Sequence, residues 1–264
     1  MRIAVVPAIV AALVSCASDR SGPLEKPTDS VIPWKEQAER NPGRFAPRLY
    51  VAYDAVSRRD WAEFDRLSRS LEEQAEVESK LSGPLGTLFL AAGQAGPAAR
   101  SAGWLEKARR ALEKGCNDPD CGADLPFNLG AVCFLLRDYP AASTALQQSL
   151  ERKPDHADAV TLLVRSLLEQ GEPAGALRWL EKAHSTIAAG ERLELTGLCH
   201  YMMGQHAQAI QAYEASLEVV SGSVRLWHNL GLCYEESRQT EKARECFAKA
   251  DALRRSAPGN SGPR

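Results

Sequence analysis

The sequence predicts an all-α chain built from stacked helical hairpins, and three observations lead there. The chain is 44% hydrophobic and 25% charged but only 6% aromatic, a balance that suits closely packed helices better than strands. Ala142, Ala176, Ala209 and Ala243 recur at intervals of 34, 33 and 34 residues. Around each of them, large and small apolar residues keep fixed offsets, as they do where every unit packs only on its neighbours.

The chain opens with MRIAVVPAIVAALVSC, in which Arg2 precedes an apolar run from Ile3 to Val14. That run is too short for a bilayer core, which needs about 20 residues, so residues 1–15 are predicted to be a signal peptide. Leu13-Val14-Ser15-Cys16 resembles the bacterial lipobox. The resemblance implies that Cys16 carries diacylglycerol, and usually a third acyl chain such as palmitate on its amine. Two or more chains anchor stably, at about 0.8 kcal/mol per buried methylene. A plain secretory peptide and a chance apolar start are the alternatives. Ala17 stands where an aspartate would resemble the inner-membrane retention signal. By that analogy the expected location is the outer membrane, lipid-anchored, with the folded part facing the periplasm. Residues 16–33 are then the lipidated cysteine and a flexible tether, with a reach on the order of 20 to 25 Å.

VIPWKEQAER is read as a short leading helix. Residues 45–78 and 79–117 follow as two degenerate units. In the first, Trp61 holds the turn and Phe64 occupies a place for a small residue, so a splayed hairpin is expected. In the second, Leu85-Gly86, Phe89, Gly93, Leu105 and Ala108 fit only with about three extra residues in the turn at Gly96-Pro97.

Four clear units span 123–156, 157–189, 190–223 and 224–257. The last carries Trp227, Leu230, Gly231, Tyr234, Ala243, Phe247 and Ala250 at its fourth, seventh, eighth, eleventh, twentieth, twenty-fourth and twenty-seventh places. Leu129-Gly130, Leu146 and Pro154 keep register in the first of the four, Leu163, Leu167, Gly171, Leu180 and Ala183 in the second, and Gly197, Gly204, Tyr213 and Leu217 in the third. This pattern resembles the tetratricopeptide repeat. The resemblance implies five to six helical hairpins between 34 and 257, wound as a right-handed superhelical solenoid with a concave groove. An ordinary amphipathic bundle is the alternative. Arg244 and Asp251 replace the leucines and isoleucine of the internal units, so a solvated terminal face is expected, followed by a disordered tail at 258–264.

The net charge of -2, from 32 basic and 34 acidic residues, leaves no electrostatic footprint for nucleic acid. The histidines, His156, His184, His200, His206 and His228, show no metal-ligand spacing, and no phosphate loop, nucleophile elbow or dinucleotide fingerprint is present. The chain is therefore read as no enzyme, with no cofactor, no metal and no small-molecule substrate.

Among the cysteines, Cys133, Cys199, Cys233 and Cys246 fall inside helices and read as core thiols. Cys116 and Cys121 flank a joint longer than the repeat needs. In an oxidising periplasm they would close a disulfide; a zinc site would need two further ligands that the neighbourhood lacks, and two free thiols are the remaining state.

Function is sought on the concave face, which the repeat lines with the second, fifth, ninth, twelfth and thirteenth places of each first helix. These are Leu90, Ala91, Phe127, Phe134, Leu135, Arg165, Leu168, Tyr201, Met202, His228, Glu235 and Glu236. The lysine-asparagine set with which chaperone-binding members hold a peptide carboxylate is absent. An apolar centre with charged ends suits an amphipathic helix or extended segment of a protein client. Burial by the amino-terminal segment, or by tighter curvature, is the alternative. A lipobox ahead of such hairpins resembles the pilotin lipoproteins of type IV pilus systems, which implies that the client is a secretin-like subunit. Adaptors of peptidoglycan hydrolases share the layout and would take a cell-wall enzyme instead.

Overall fold

A computed structural model describes residues 34–40, 43–183, 186–220 and 223–256. The expected signal peptide, Cys16, the expected tether and the expected tail at 258–264 lie outside the described residues. The chain divides into two compact units, Met1–Pro154 and Asp155–Arg264. The first contains α1 (Trp34–Arg40), α2 (Phe45–Arg58), α3 (Trp61–Val77), a 3-10 turn (Ser79–Leu81), α4 (Ser82–Ala95), α5 (Ala98–Cys116), α6 (Asp124–Leu135) and α7 (Tyr139–Arg152). The second contains α8 (Ala157–Glu169), α9 (Pro173–Lys182), α10 (Ala189–Met202), α11 (His206–Val219), α12 (Val224–Glu236) and α13 (Thr240–Ser256). No strand occurs among the described residues. From α2 onward, each consecutive pair of helices is a hairpin.

Five hairpins reverse through the same turn. Arg59, Arg137 and Arg238 adopt φ of 59°, 63° and 59°, and Gly171 and Gly204 adopt 76° and 73°. In each case the next residue donates its N–H to a carbonyl five residues back, as Asp138 does to Cys133 at 2.9 Å and Glu172 to Leu167 at 2.8 Å. These bonds satisfy carbonyls that the helix end would leave orphaned. The same residue then starts the second helix. Asp60 and Asp138 cap it with their side chains, accepting from the N–H of Glu63 at 3.0 Å and Ala141 at 3.2 Å.

Inside the hairpins, a glycine of the first helix lies against a large residue of the second. A methyl added at Gly130 would sit 2.5 Å from Leu146 Cγ, at Gly197 2.7 Å from Tyr213 Cε1, and at Gly231 2.6 Å from Phe247 Cε1. Ala142, Ala209 and Ala243, the small residues opposite, are buried.

The α4–α5 hairpin departs from the expected register. Gly86 faces Ala108 and Leu112, as Gly130 faces Ala142 and Leu146. The turn itself is only Gly96-Pro97, and the additional residues extend both helices on the turn side of the Gly86–Ala108 contact. Gly93 against Leu105 forms a further layer of contact near the turn. Ala108 and Leu112 thus hold the small and large places of α5, and Leu105, expected in register beside Ala108, belongs to the further layer.

Phe64 is fully buried although it replaces a small residue. Its ring meets Trp61 at 6.2 Å, Phe89 at 6.0 Å and Trp104 at 5.4 Å, the last two from the following hairpin. α2 and α3 pack on each other less extensively than the helices of α4–α5 or α6–α7.

Two glycine substitutions separate packing from helix propensity. Gly86→Ala would place its methyl 2.6 Å from Leu112 Cγ and 3.0 Å from Leu112 N, backbone that cannot yield cheaply. It should destabilise by about 1 to 3 kcal/mol in chemical denaturation. Gly103→Ala, exposed inside α5 with nothing within 4 Å, should stabilise by about 0.5 to 1 kcal/mol.

Candidate protein-interaction site

The expected groove residues divide between the two units. In the first unit Leu90 and Ala91 are buried, at 0% and 4% exposure, and do not line a groove. The reason is that α4 is apolar all round and sits among α2, α3, α5 and α6. Phe127 and Phe134 are half-buried, the latter ring 5.5 Å from Tyr139, and Leu135 is 43% exposed.

In the second unit Leu168 is also core, at 6% exposure. The twelfth place lies about 80° round the helix from the second, at the edge of the face, where a leucine is drawn inward. Arg165, Tyr201, Met202 and His228 remain accessible to differing degrees, Met202 at 43%.

Ion pairs align the first helices of this second unit. Arg165 on α8 reaches Glu191 on α10 at 3.6 Å, and Glu194 on α10 holds Arg225 on α12 at 2.6 Å. All four occupy the second, fifth or ninth place of their helices, so the same face of α8, α10 and α12 is shared. Glu191, Glu194 and Arg225 were not among the expected groove residues, although their places in the repeat mark them. Leu198 and Leu232, half-buried at two ninth places, were missed in the same way.

The two arginines differ electrostatically. Arg165 is held below its usual value by burial and then by the charge of Arg225, and its Nε has no hydrogen-bond partner. Arg225 is raised, chiefly through its hydrogen bond to Glu194. At the other end of the face, Tyr201 is raised by burial and then by the charge of Glu236. A pocket of about 420 Å³ opens between α12 and α13, lined by the apolar Leu232, Phe247 and Ala250 and by His228, Glu235, Asp251 and Arg254. The His228 and Phe247 rings stand 5.4 Å apart. Arg244 and Asp251 are exposed and pair with Glu241 and Arg254 of their own helix, at 3.0 and 3.2 Å.

Cys116 and Cys121 stand as thiols in the structure. The Cys121 thiol points at the Cys116 carbonyl, 3.8 Å away, a backbone acceptor that the end of α5 would otherwise leave bare. Burial pushes the Cys116 thiol up to about 12, with Cys121 adding to it. Cys133, Cys199, Cys233 and Cys246 are buried. Among the described residues, no three of His, Cys, Asp or Glu converge as metal ligands, and no helix is long and apolar enough to cross a membrane.

Three models described as tetratricopeptide repeat match residues 136–190, 193–220 and 224–256. Among solved structures, MamA 41-end from Desulfovibrio magneticus RS-1 is 22% identical, with a TM-score of 0.55, covering 66% of this chain and 97% of its own. A MamA RS-1 ArsTM double mutant is 23% identical, with a TM-score of 0.56, covering 66% and 97%. A further MamA crystal structure gives 22% and 0.55, covering 68% and 97%. At these identities the likeness is one of fold. No curated protein matches the sequence. The fold is thus that of tetratricopeptide hairpins, a protein-interaction scaffold, and no catalytic family is indicated.

The buried thiols set an alkaline limit on stability. Burial pushes Cys199 up to about 12 and Cys133 and Cys233 to about 11, against an ordinary value of 9.0. Above that ordinary value the unfolded chain sheds thiol protons that the folded chain keeps, so stability falls as pH rises. The urea midpoint should hold steady from about pH 7 to 9 and drop between about 9 and 11; a profile flat to pH 11 would contradict the burial.

Proposed function

We propose that this chain is a noncatalytic scaffold, held at the outer membrane by lipid on Cys16, whose first-helix faces bind a protein client. The client is a secretin-like subunit of a type IV pilus system, brought to its assembly site in the manner of the pilotin lipoproteins. The observation that carries the binding role is the shared face of α8, α10 and α12. Apolar side chains at Leu198, Tyr201, Met202 and Leu232 stay partly exposed there, between charged groups that keep the surface soluble. Anchoring rests on the lipobox at Leu13-Val14-Ser15-Cys16.

The mechanism is one of concentration. A lipid anchor confines the scaffold to a thin layer at the membrane, and a bound client shares that confinement. Subunits that would meet slowly in the periplasm then meet at a high effective concentration. No group needs to change charge or form a bond.

Two measurements test this. The mature polypeptide should show the mass of an acylated Cys16, and Cys16→Ser should release the chain from the membrane fraction. Deleting the gene should leave secretin monomers in place of heat-stable multimers. Multimers that form unchanged would remove the secretin assignment, and peptidoglycan hydrolases co-purifying in their stead would assign an adaptor role.

A further inference from the structure

The face of α8, α10 and α12 is not electrically neutral. Its second, fifth, ninth, twelfth and thirteenth places carry Asp158, Glu169, Glu191, Glu194, Glu235 and Glu236 against Arg165 and Arg225. Both arginines are already engaged with Glu191 and Glu194, so the uncompensated charge is negative. Glu235 and Glu236 are exposed and carry no ion pair among the described residues. Glu235 lines the α12–α13 pocket together with the apolar Leu232, Phe247 and Ala250, and Glu236 follows it at the end of α12. Asp251 adds a further carboxylate to the lining, paired with Arg254 at 3.2 Å.

We infer that this face docks a basic amphipathic segment of a protein partner, its apolar side chains entering the α12–α13 pocket and its lysines or arginines meeting Glu235 and Glu236. The inference rests on the client-binding reading and deepens it by fixing the partner's chemistry. Charge complementarity decides the occupant. An acidic segment would bring like charges onto a low-dielectric apolar floor, where repulsion is poorly screened. A neutral apolar segment would leave the two glutamates beside it with nothing to pair. A basic segment neutralises them while its apolar side chains displace water from Leu232 and Phe247.

The test uses the full mature chain and a fluorescent peptide of about 18 residues, five helical turns of leucine and lysine at amphipathic spacing. A second peptide replaces every lysine by glutamate. The lysine peptide should bind, weakening by about tenfold as salt rises from about 0.05 to 0.5 M, and the glutamate peptide should not. Glu235→Lys with Glu236→Lys should weaken binding by about tenfold or more, while Glu181→Lys with Glu245→Lys, exposed and away from the face, should change it by less than about twofold. Equal binding of both peptides, equal loss in both double variants, or no binding of the lysine peptide overturns the inference. A crosslinker at Tyr201 separates it from the broader reading. Capture of secretin that the lysine peptide cannot compete away leaves the client role and removes the basic segment. Lysine-peptide binding that depends on Glu235 and Glu236, with no secretin captured, keeps the basic segment and removes the pilotin role.

Discussion

The close approach of two helices across a small residue is the interaction on which each hairpin depends. Where glycine or alanine is present on both sides, as at Gly130 and Ala142, Gly197 and Ala209, or Gly231 and Ala243, the backbones come together and a large neighbour fills the flank. Where one of the two small residues is replaced, the packing thins. Phe64 stands in for the small residue of α3, and Val164 takes the glycine place of α8; the α2–α3 and α8–α9 hairpins both pack less extensively than α10–α11 or α12–α13. The large residue is not wasted. Phe64 is buried against the rings of Phe89 and Trp104, so the weaker packing inside one hairpin is offset by apolar burial against the next, as expected of a structure whose stability sums neighbour terms.

Most of this fold was legible because the repeat states its own geometry. Residues at the eighth and twentieth places meet whenever both helices have standard length, and four units satisfy that. The α4–α5 hairpin escapes the pattern for a physical reason. A helix can gain a turn at its end without disturbing the packing below, provided its partner gains one too. Gly93 then packs on Leu105, a layer that a fixed period has no place for, and Gly86 finds Ala108 beyond it. The spacing of Gly86 and Gly93, two turns apart on one face, was the available signal.

The candidate face was legible by place and not by exposure. Leu90 and Leu168 occupy lining positions yet are core, because a leucine within reach of a neighbouring helix is buried regardless of the role its place has elsewhere. Polar residues at equivalent places resist that pull, and Glu191, Glu194 and Arg225, which the sequence reading passed over, are of this kind. At Cys116 and Cys121, five residues of spacing allow a bridge, and the Cys116 carbonyl at the end of α5 also offers the Cys121 thiol an acceptor.

Separation of folding from recognition follows from the helix itself. On α10 and α12 the eighth place, which holds Gly197 and Gly231, lies about 120° from the second place, which holds Glu191 and Arg225. Residues that close the hairpin and residues that meet a partner therefore face different ways, and the second set can change with little cost to the first. Arg165 is the exception. Its guanidinium is largely withdrawn from water, with Nε unpaired and only a 3.6 Å approach to Glu191 to offset the cost. A charge kept under that penalty contributes little to folding. Its position beside the Glu194–Arg225 pair instead offsets Glu191, while Asp158 and Glu169 on α8 and Glu235 and Glu236 on α12 keep both ends of the face negative, the latter pair at the pocket end.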